Sequence, residues 1–227
     1  QTAYLKAHYP VEFMTALLNA DKGDVERISF LTQEAVKIGI AVLPPNVNAS
    51  ARDFMPDDKN IRFGLLAVKN VGGNIADAIV LERARGGPFQ DFSNFVTRVG
   101  HKDLNKKSLE SLAKCGAFDS FGLDRNEIIE NIDDVLKFIA GFRRSNTEGS
   151  ESLFGTIMET PKLRLKPARS ATSAEKLKWE KELIGLYVSD HPLNQHKDKI
   201  EKNRARPLKD ALLIKNQNLR FSGAGIV

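Results

Sequence analysis

The stretch Leu65 to Ile79, LLAVKNVGGNIADAI, constrains this chain more than any other. Leu65 and Val68 are spaced as the end of a short helix. Asn70 to Gly73 read as a tight turn, and a second amphipathic helix runs through Ile75, Ala76, Ile79 and Val80 toward Arg85. The stretch therefore predicts two helices joined by a tight turn. The start of the second helix has a chemistry of its own. Its first N–H groups have no partner in the helix and carry partial positive charge, so they attract anions. Gly72 and Gly73 lack the Cβ that would hold a phosphate at a distance.

The turn, a polar residue followed by Val71 and Gly72, resembles the helix-hairpin-helix motif. In that motif an apolar residue pins the turn between its helices, and the backbone beyond it faces a DNA phosphate. Glycine-containing turns between helices are common, so the turn alone leaves two readings open: a phosphate contact and a purely structural hairpin.

Composition narrows the class without deciding between them. Hydrophobic residues at 41% and charged residues at 28% describe an ordinary globular chain of 227 residues, long enough for one large domain or two small ones. No apolar run has the length of a membrane span and no signal peptide opens the chain, so no membrane partner is expected. One cysteine, Cys115, excludes an internal disulfide framework and a cysteine-rich zinc site, which makes a reducing cytoplasm the expected location. The net charge of +5 is unevenly placed. Residues 161–227 hold 15 Lys and Arg against 7 Asp and Glu, whereas residues 1–160 hold 19 against 22. The basic excess lies in the last third, where it fits a nucleic-acid partner or a solvated lysine-rich surface.

In chain order, a helix is predicted from Gln1 to His8 and a second, opened by Pro10, from Val11 to Asn19. Asp24 caps a helix from Val25 to Ile38, with Ile28, Leu31, Ala35 and Ile38 on one face and Gly39 closing it. Ile40 to Leu43 reads as a short strand. Asp53 to Met55, a turn at Asp57 to Asn60, and Ile61 to Phe63 read as a small hairpin. Phe89, Phe92, Phe95, Val96 and Val99 form an apolar helical stripe that belongs in a core. Helices follow from Leu104 to Lys114 and from Leu123 to Ile139. Gly141 to Ser152 has a linker's composition, and Pro161 to Ser173 reads as irregular. A helix from Ala174 to Gly185 carries Leu177, Trp179 and Leu183, with Trp179 as a core anchor. Leu219 to Val227 reads as a strand. The uncapped helix at Gln1 and the strand ending at Val227 are expected to be cuts through a larger protein.

Six blocks in order resemble the α subunit of bacterial DNA polymerase III, the C-family replicative polymerase. They are QTAYLKAHYPVEFMTALLN, the segment Gly39 to Asn48, IRFGLLAVKNVG, GGPFQDFSNFVTRV, KSLESLAKCGAFDSFG and EKELIGLYVSDHPL. The resemblance implies a mainly α fold: the helical end of the fingers, tandem helix-hairpin-helices with a small β-hairpin, and the first strand of a truncated OB fold. The implied boundaries are 1–50 for the fingers, 51–140 for the hairpin domain, 141–173 for a linker, 174–215 for a helical connector and 216–227 for the OB-fold start. The nucleotidyltransferase palm of the parent, with its Mg²⁺-binding aspartates, would lie elsewhere. No cofactor is implied for this segment, which is expected to be inactive alone.

The resemblance also implies site residues. In the first hairpin Val71, Gly72 and Ala76 match the apolar residue, second glycine and small helix residue, and Asn70 stands at the first glycine. Asparagine tolerates positive φ, so the turn is expected to form. The expected DNA contacts are Lys69, Asn70, Val71, Gly72, Gly73 and Asn74. In the second hairpin, Leu109 to Ser120, the residues that fit are Leu112, Cys115 and Gly116, with Lys114 at the first glycine. Lys106, Lys107, Lys114 and Gly116 are the contacts expected there. Such hairpins read phosphate, so binding would be independent of base sequence. A second implied partner is the sliding clamp, met by Ser150, Leu153 and Phe154 in a short linker motif. Other replisome subunits would be reached through the parent chain. Asp190, His191 and His196 give no convincing metal-ligand spacing, and Cys115 fits a buried thiol better than a reactive one. The rival reading is a helical protein-interaction module whose hairpins are only structural. A nuclease or ligase fragment would need a carboxylate-rich metal site as well.

Overall fold

The computed structural model describes residues 1–99, 104–147, 163–189 and 197–203. Helix α1 (Thr2–His8) buries none of its residues and leads into α2 (Pro10–Ala20), which Pro10 opens as predicted. Helix α3 (Val25–Lys37) is capped by the Asp24 carboxylate, which accepts from the N–H groups of Glu26 and Arg27. It ends where Gly39, at φ +85, and Ile40 donate back to Val36 and Ala35. Met14 and Leu18 of α2 meet Ile28, Leu31 and Ala35 of α3 in the core. Ile38, expected on that face, lies past the helix end and is half exposed.

Strands β1 (Val42–Leu43), β2 (Met55–Asp57) and β3 (Asn60–Arg62) form a sheet in the order β1-β3-β2. β1 runs parallel to β3 with Val42 opposite Ile61, and the predicted hairpin pairs β2 with β3, Met55 opposite Arg62. Phe54 and Phe63 stack edge to face behind it at 4.6 Å. Helices α4 (Gly73–Gly86), α5 (Phe92–Arg98) and α6 (Lys106–Lys114) then build the centre of the molecule. The predicted stripe Phe89, Phe92, Phe95, Val96 and Val99 is buried throughout and packs edge to face on Phe118.

The predicted helix from Leu123 to Ile139 is two helices, α7 (Arg125–Glu130) and α8 (Ile132–Thr147), broken at Asn131. The Asn131 side chain accepts from the Lys166 N–H and donates to its C=O, both at 2.9 Å. That pair straps the extended segment from Leu163 back onto the helices. Helix α8 also runs through Gly141 to Thr147, where a linker was expected, with Phe138 and Phe142 stacked one turn apart. Helix α9 (Ser173–Ile184) begins with a capping box between Thr172 and Glu175 and buries Leu177 and Leu183. Trp179 is only partly buried, so it is not the core anchor expected. A short α10 (Lys197–Lys202) follows. The fold is mainly α, with one small sheet. Among the described residues no helix is long and apolar enough to cross a membrane.

Candidate nucleic-acid interface

The first hairpin is held from below and open above. Its first arm is a single 3₁₀ turn, Leu65–Ala67, where an α-helical end was expected. Asn70 adopts φ +67, the left-handed conformation expected of it. Val71 is buried and Gly72 is the N-cap of α4, its carbonyl accepting from Ile75 and Ala76 at 3.1 Å. Two contacts fix the turn on the rest of the protein. The Lys69 N–H donates to the Leu183 carbonyl at 3.1 Å, and the Asn70 amide donates to Ser111 Oγ at 3.0 Å.

Above the turn no side chain among the described residues covers Gly72. Among the described residues nothing accepts from the N–H groups of Gly72 and Gly73. A Cβ built on Gly72 would meet nothing within 4 Å. An open cleft of about 420 Å³ lies there, lined by Asn70, Gly72, Gly73, Asn74, Ile75 and Asn105. Asn105 is the N-cap of α6, so two helix N-termini border one cleft and both favour an anion. Lys106 and Lys107, assigned by sequence to the second hairpin, therefore start the helix beside the first. Lys107 and Lys69 are exposed, with no ion-pair partner among the described residues, while Lys106 pairs with Asp133 at 2.8 Å.

The second hairpin has a different register from the one read in the sequence. Helix α6 ends at Cys115, with Gly116 and Ala117 donating back to Ala113 and Leu112. Positive φ falls at Gly116, at +83, not at Lys114. Two residues further, Phe118 is the N-cap of a 3₁₀ turn, Asp119–Phe121, as Gly72 is the N-cap of α4. Gly116 thus matches Asn70, and Phe118 matches Gly72. The Phe118 ring fills the core between Phe92, Phe95 and Phe121.

This hairpin is sealed. A Cβ on Gly116 would fall 2.5 Å from Arg125 Nη2 and 2.7 Å from Asp119 Oδ2. Arg125 is buried, donating to Asp119 at 2.7 and 3.1 Å, to Glu180 at 2.9 Å and to the Lys114 carbonyl at 2.9 Å. Burial opposes its charge, but the two carboxylates outweigh it and the Arg125 pKa is raised. Glu180 is fully buried, and its second oxygen takes the N–H groups of Val188 and Ser189 at 2.7 and 3.0 Å. The Lys114 ammonium is held by Glu110 at 2.5 Å and lies 5.8 Å from the Trp179 ring centre. Gly116 is buried. Burial also pushes the Cys115 thiol from 9.0 up to about 12, so it is the inert core thiol expected.

One cation beside the first hairpin escaped the sequence reading. Arg52 lies outside the motif, yet its Nη2 stands 3.2 Å from where a Gly73 Cβ would be. No local pattern marks it, because a contact more than twenty residues away brings it there. Ser150, Leu153 and Phe154, His191 and His196, and the strand at Leu219 to Val227 all lie outside the described residues. Among the described residues no three His, Cys, Asp or Glu side chains gather as a metal site, so the Mg²⁺ implied for the parent finds no fitting donor set among them.

The helix-hairpin-helix motif family matches residues 39–128, which takes in both hairpins. DNA polymerase III subunit alpha of Thermus aquaticus is 44% identical over 193 residues, 85% of this chain and 16% of its own length. The same subunit of Borreliella burgdorferi is 37% identical across 98% of this chain and 20% of its own length. That of Deinococcus radiodurans is 42% identical across 86% of this chain and 15% of its own length. The chain thus spans between about a seventh and a fifth of the length of these relatives, and it belongs to the family of bacterial DNA polymerase III α subunits.

Proposed function

We propose that this chain is a DNA-holding segment of a replicative DNA polymerase, gripping the sugar-phosphate backbone through its first hairpin and without base preference. One observation carries the reading. The Gly72 and Gly73 N–H groups lack acceptors among the described residues and face an open cleft that two helix N-termini border. Lys69, Asn70, Asn74, Lys106 and Lys107 flank that cleft, and Val71 pins the turn beneath it. Backbone amides and mobile lysines present nothing that distinguishes one base pair from another, so affinity should follow phosphate charge. Such a grip suits a polymerase that must hold whatever duplex it has just made. The second hairpin supports the first through Ser111 and leaves Lys114 and Gly116 at most a minor share of the contact.

Fluorescence anisotropy with duplex and primer-template DNA tests this. Binding at low salt should be equal for unrelated sequences, and log K should fall against log salt by roughly 0.9 for each phosphate engaged. Gly72→Val should weaken it at least about tenfold, since the new side chain would occupy the anion's place. At φ −79 and ψ 160 any residue is tolerated, so the fold should survive. No binding by the wild-type chain, or full binding by the variant, would leave the hairpins structural and favour the protein-interaction module.

The same reading includes a tether to the sliding clamp through Ser150, Leu153 and Phe154, supported by the match to polymerase α subunits. Two apolar anchors on a short segment are enough for a pocket-binding peptide. Replacing Leu153 and Phe154 together by Ala should abolish clamp binding measured by surface plasmon resonance, and an unchanged signal would place that contact elsewhere.

A further inference from the structure

We infer that Arg52 is a further phosphate-contacting residue of the first hairpin, its guanidinium donating to the same anion as the Gly72 and Gly73 amides; this rests on the DNA-binding reading above. Gly64 brings it there. A Cβ at Gly64 would lie 2.4 Å from the Asp53 carbonyl carbon and 2.6 Å from the Phe54 nitrogen, so only glycine lets these two backbones lie flush. Leu65 and Leu66 then donate to the carbonyls of Ala51 at 3.0 Å and Arg52 at 2.9 Å. The 51–54 segment is thereby fixed to the hairpin's first arm, and the Arg52 side chain extends to the first turn of α4.

Its two terminal nitrogens are used differently. Nη1 donates to both oxygens of Asp77, at 2.9 and 2.7 Å. Nη2 has no acceptor among the described residues and lies 3.2 Å from where a Gly73 Cβ would be. Among the described residues Asp77 is the one carboxylate hydrogen-bonded to this guanidinium, and both side chains are partly exposed. It aims the planar fork while leaving the second nitrogen beside Gly73, one of the residues that line the cleft. A lysine cannot divide its charge this way, because its ammonium is a single point. Gly73 matters here as much for the guanidinium as for an anion, since a side chain at that position would push Nη2 aside.

Anisotropy over a salt series, with the 227-residue chain and duplex DNA, tests the assignment. Arg52→Ala should bind about tenfold more weakly at low salt and show a salt slope shallower by about 0.9. Arg85→Ala, which removes an exposed cation at the far end of α4, should stay within about twofold of wild type. Arg52→Gln, which keeps an amide donor for Asp77 without the charge, should repeat the slope change and guards against a folding defect in the alanine variant. If Arg52→Ala and Arg52→Gln match wild type while Gly72→Val still abolishes binding, Arg52 has no such role and the hairpin reading stands. Equal losses for Arg52→Ala and Arg85→Ala would reduce the effect to general charge and overturn the assignment. No binding by wild type would overturn both.

Discussion

In the first hairpin the left-handed residue is Asn70, and the residue two positions later is Gly72. In the second they are Gly116 and Phe118. Both turns set a left-handed residue two positions before an N-cap. The N-cap is extended at Gly72 (φ −79, ψ 160) and not at Phe118 (φ −107, ψ 3), and the side chains give the two turns different surfaces. At the first, the position facing out carries no side chain and open space lies before it. At the second, a phenylalanine anchors the turn in the core. The residue after it, Asp119, carries a carboxylate where Gly73 has none, and Arg125 covers the bend. A motif repeated twice in one fold thus presents an open turn once and a packed turn once. What separates the two is what sits on the N-terminus of the second arm.

The largest effect should come from unsealing the second hairpin. Glu180 is fully buried and binds Arg125 with one oxygen and the N–H groups of Val188 and Ser189 with the other. Glu180→Ala would leave a buried guanidinium and two amides short of an acceptor. A loss of about 3–5 kcal/mol in urea denaturation is expected, as for one-sided removal of a buried ion pair. DNA affinity, measured where the variant is still folded, should hardly move. A stability loss below about 1 kcal/mol would mean that water replaces the carboxylate and the seal is loose. A large loss of DNA affinity would mean that the second hairpin shares the contact after all.

What the sequence made legible follows the range of the interactions. The left-handed Asn70, the Gly39 helix end, the hairpin around Asp57 to Asn60 and the Phe89 to Val99 stripe all depend on neighbours within a turn or two, and all form. The hairpin has a tighter turn than expected, because Asp57 and Asn60 are themselves paired strand residues. The break at Asn131 depends on Lys166, which is 35 positions away, so a helical apolar pattern ran straight through it. The polar composition of Gly141 to Thr147 suggested a linker, but a helix already nucleated and packed propagates into such residues at little cost. The register of the second hairpin differs from the reading because Lys114-Cys115-Gly116 copies the spelling of Asn70-Val71-Gly72, while the left-handed residue falls two positions later, at Gly116. Arg52 was invisible for the same reason as Asn131: its role arises from a tertiary contact.

The sharpest test of the comparison applies one small change to both hairpins. Gly116→Ala meets two obstacles at once, a left-handed φ of +83 and a Cβ 2.5 Å from a guanidinium that Asp119, Glu180 and the Lys114 carbonyl hold in place. Strain and overpacking together should cost about 2–3 kcal/mol, read as a lower urea midpoint at unchanged slope. Gly72→Ala meets neither obstacle. Alanine is a poorer N-cap than glycine, but it also restricts the unfolded chain, and these effects oppose each other. The net should lie within about 0.5 kcal/mol. Equal costs at the two positions would erase the distinction between an open and a sealed hairpin. A neutral Gly72→Ala that nevertheless weakens DNA binding would sharpen it, because a methyl group that costs the fold nothing could then act only on what approaches from outside.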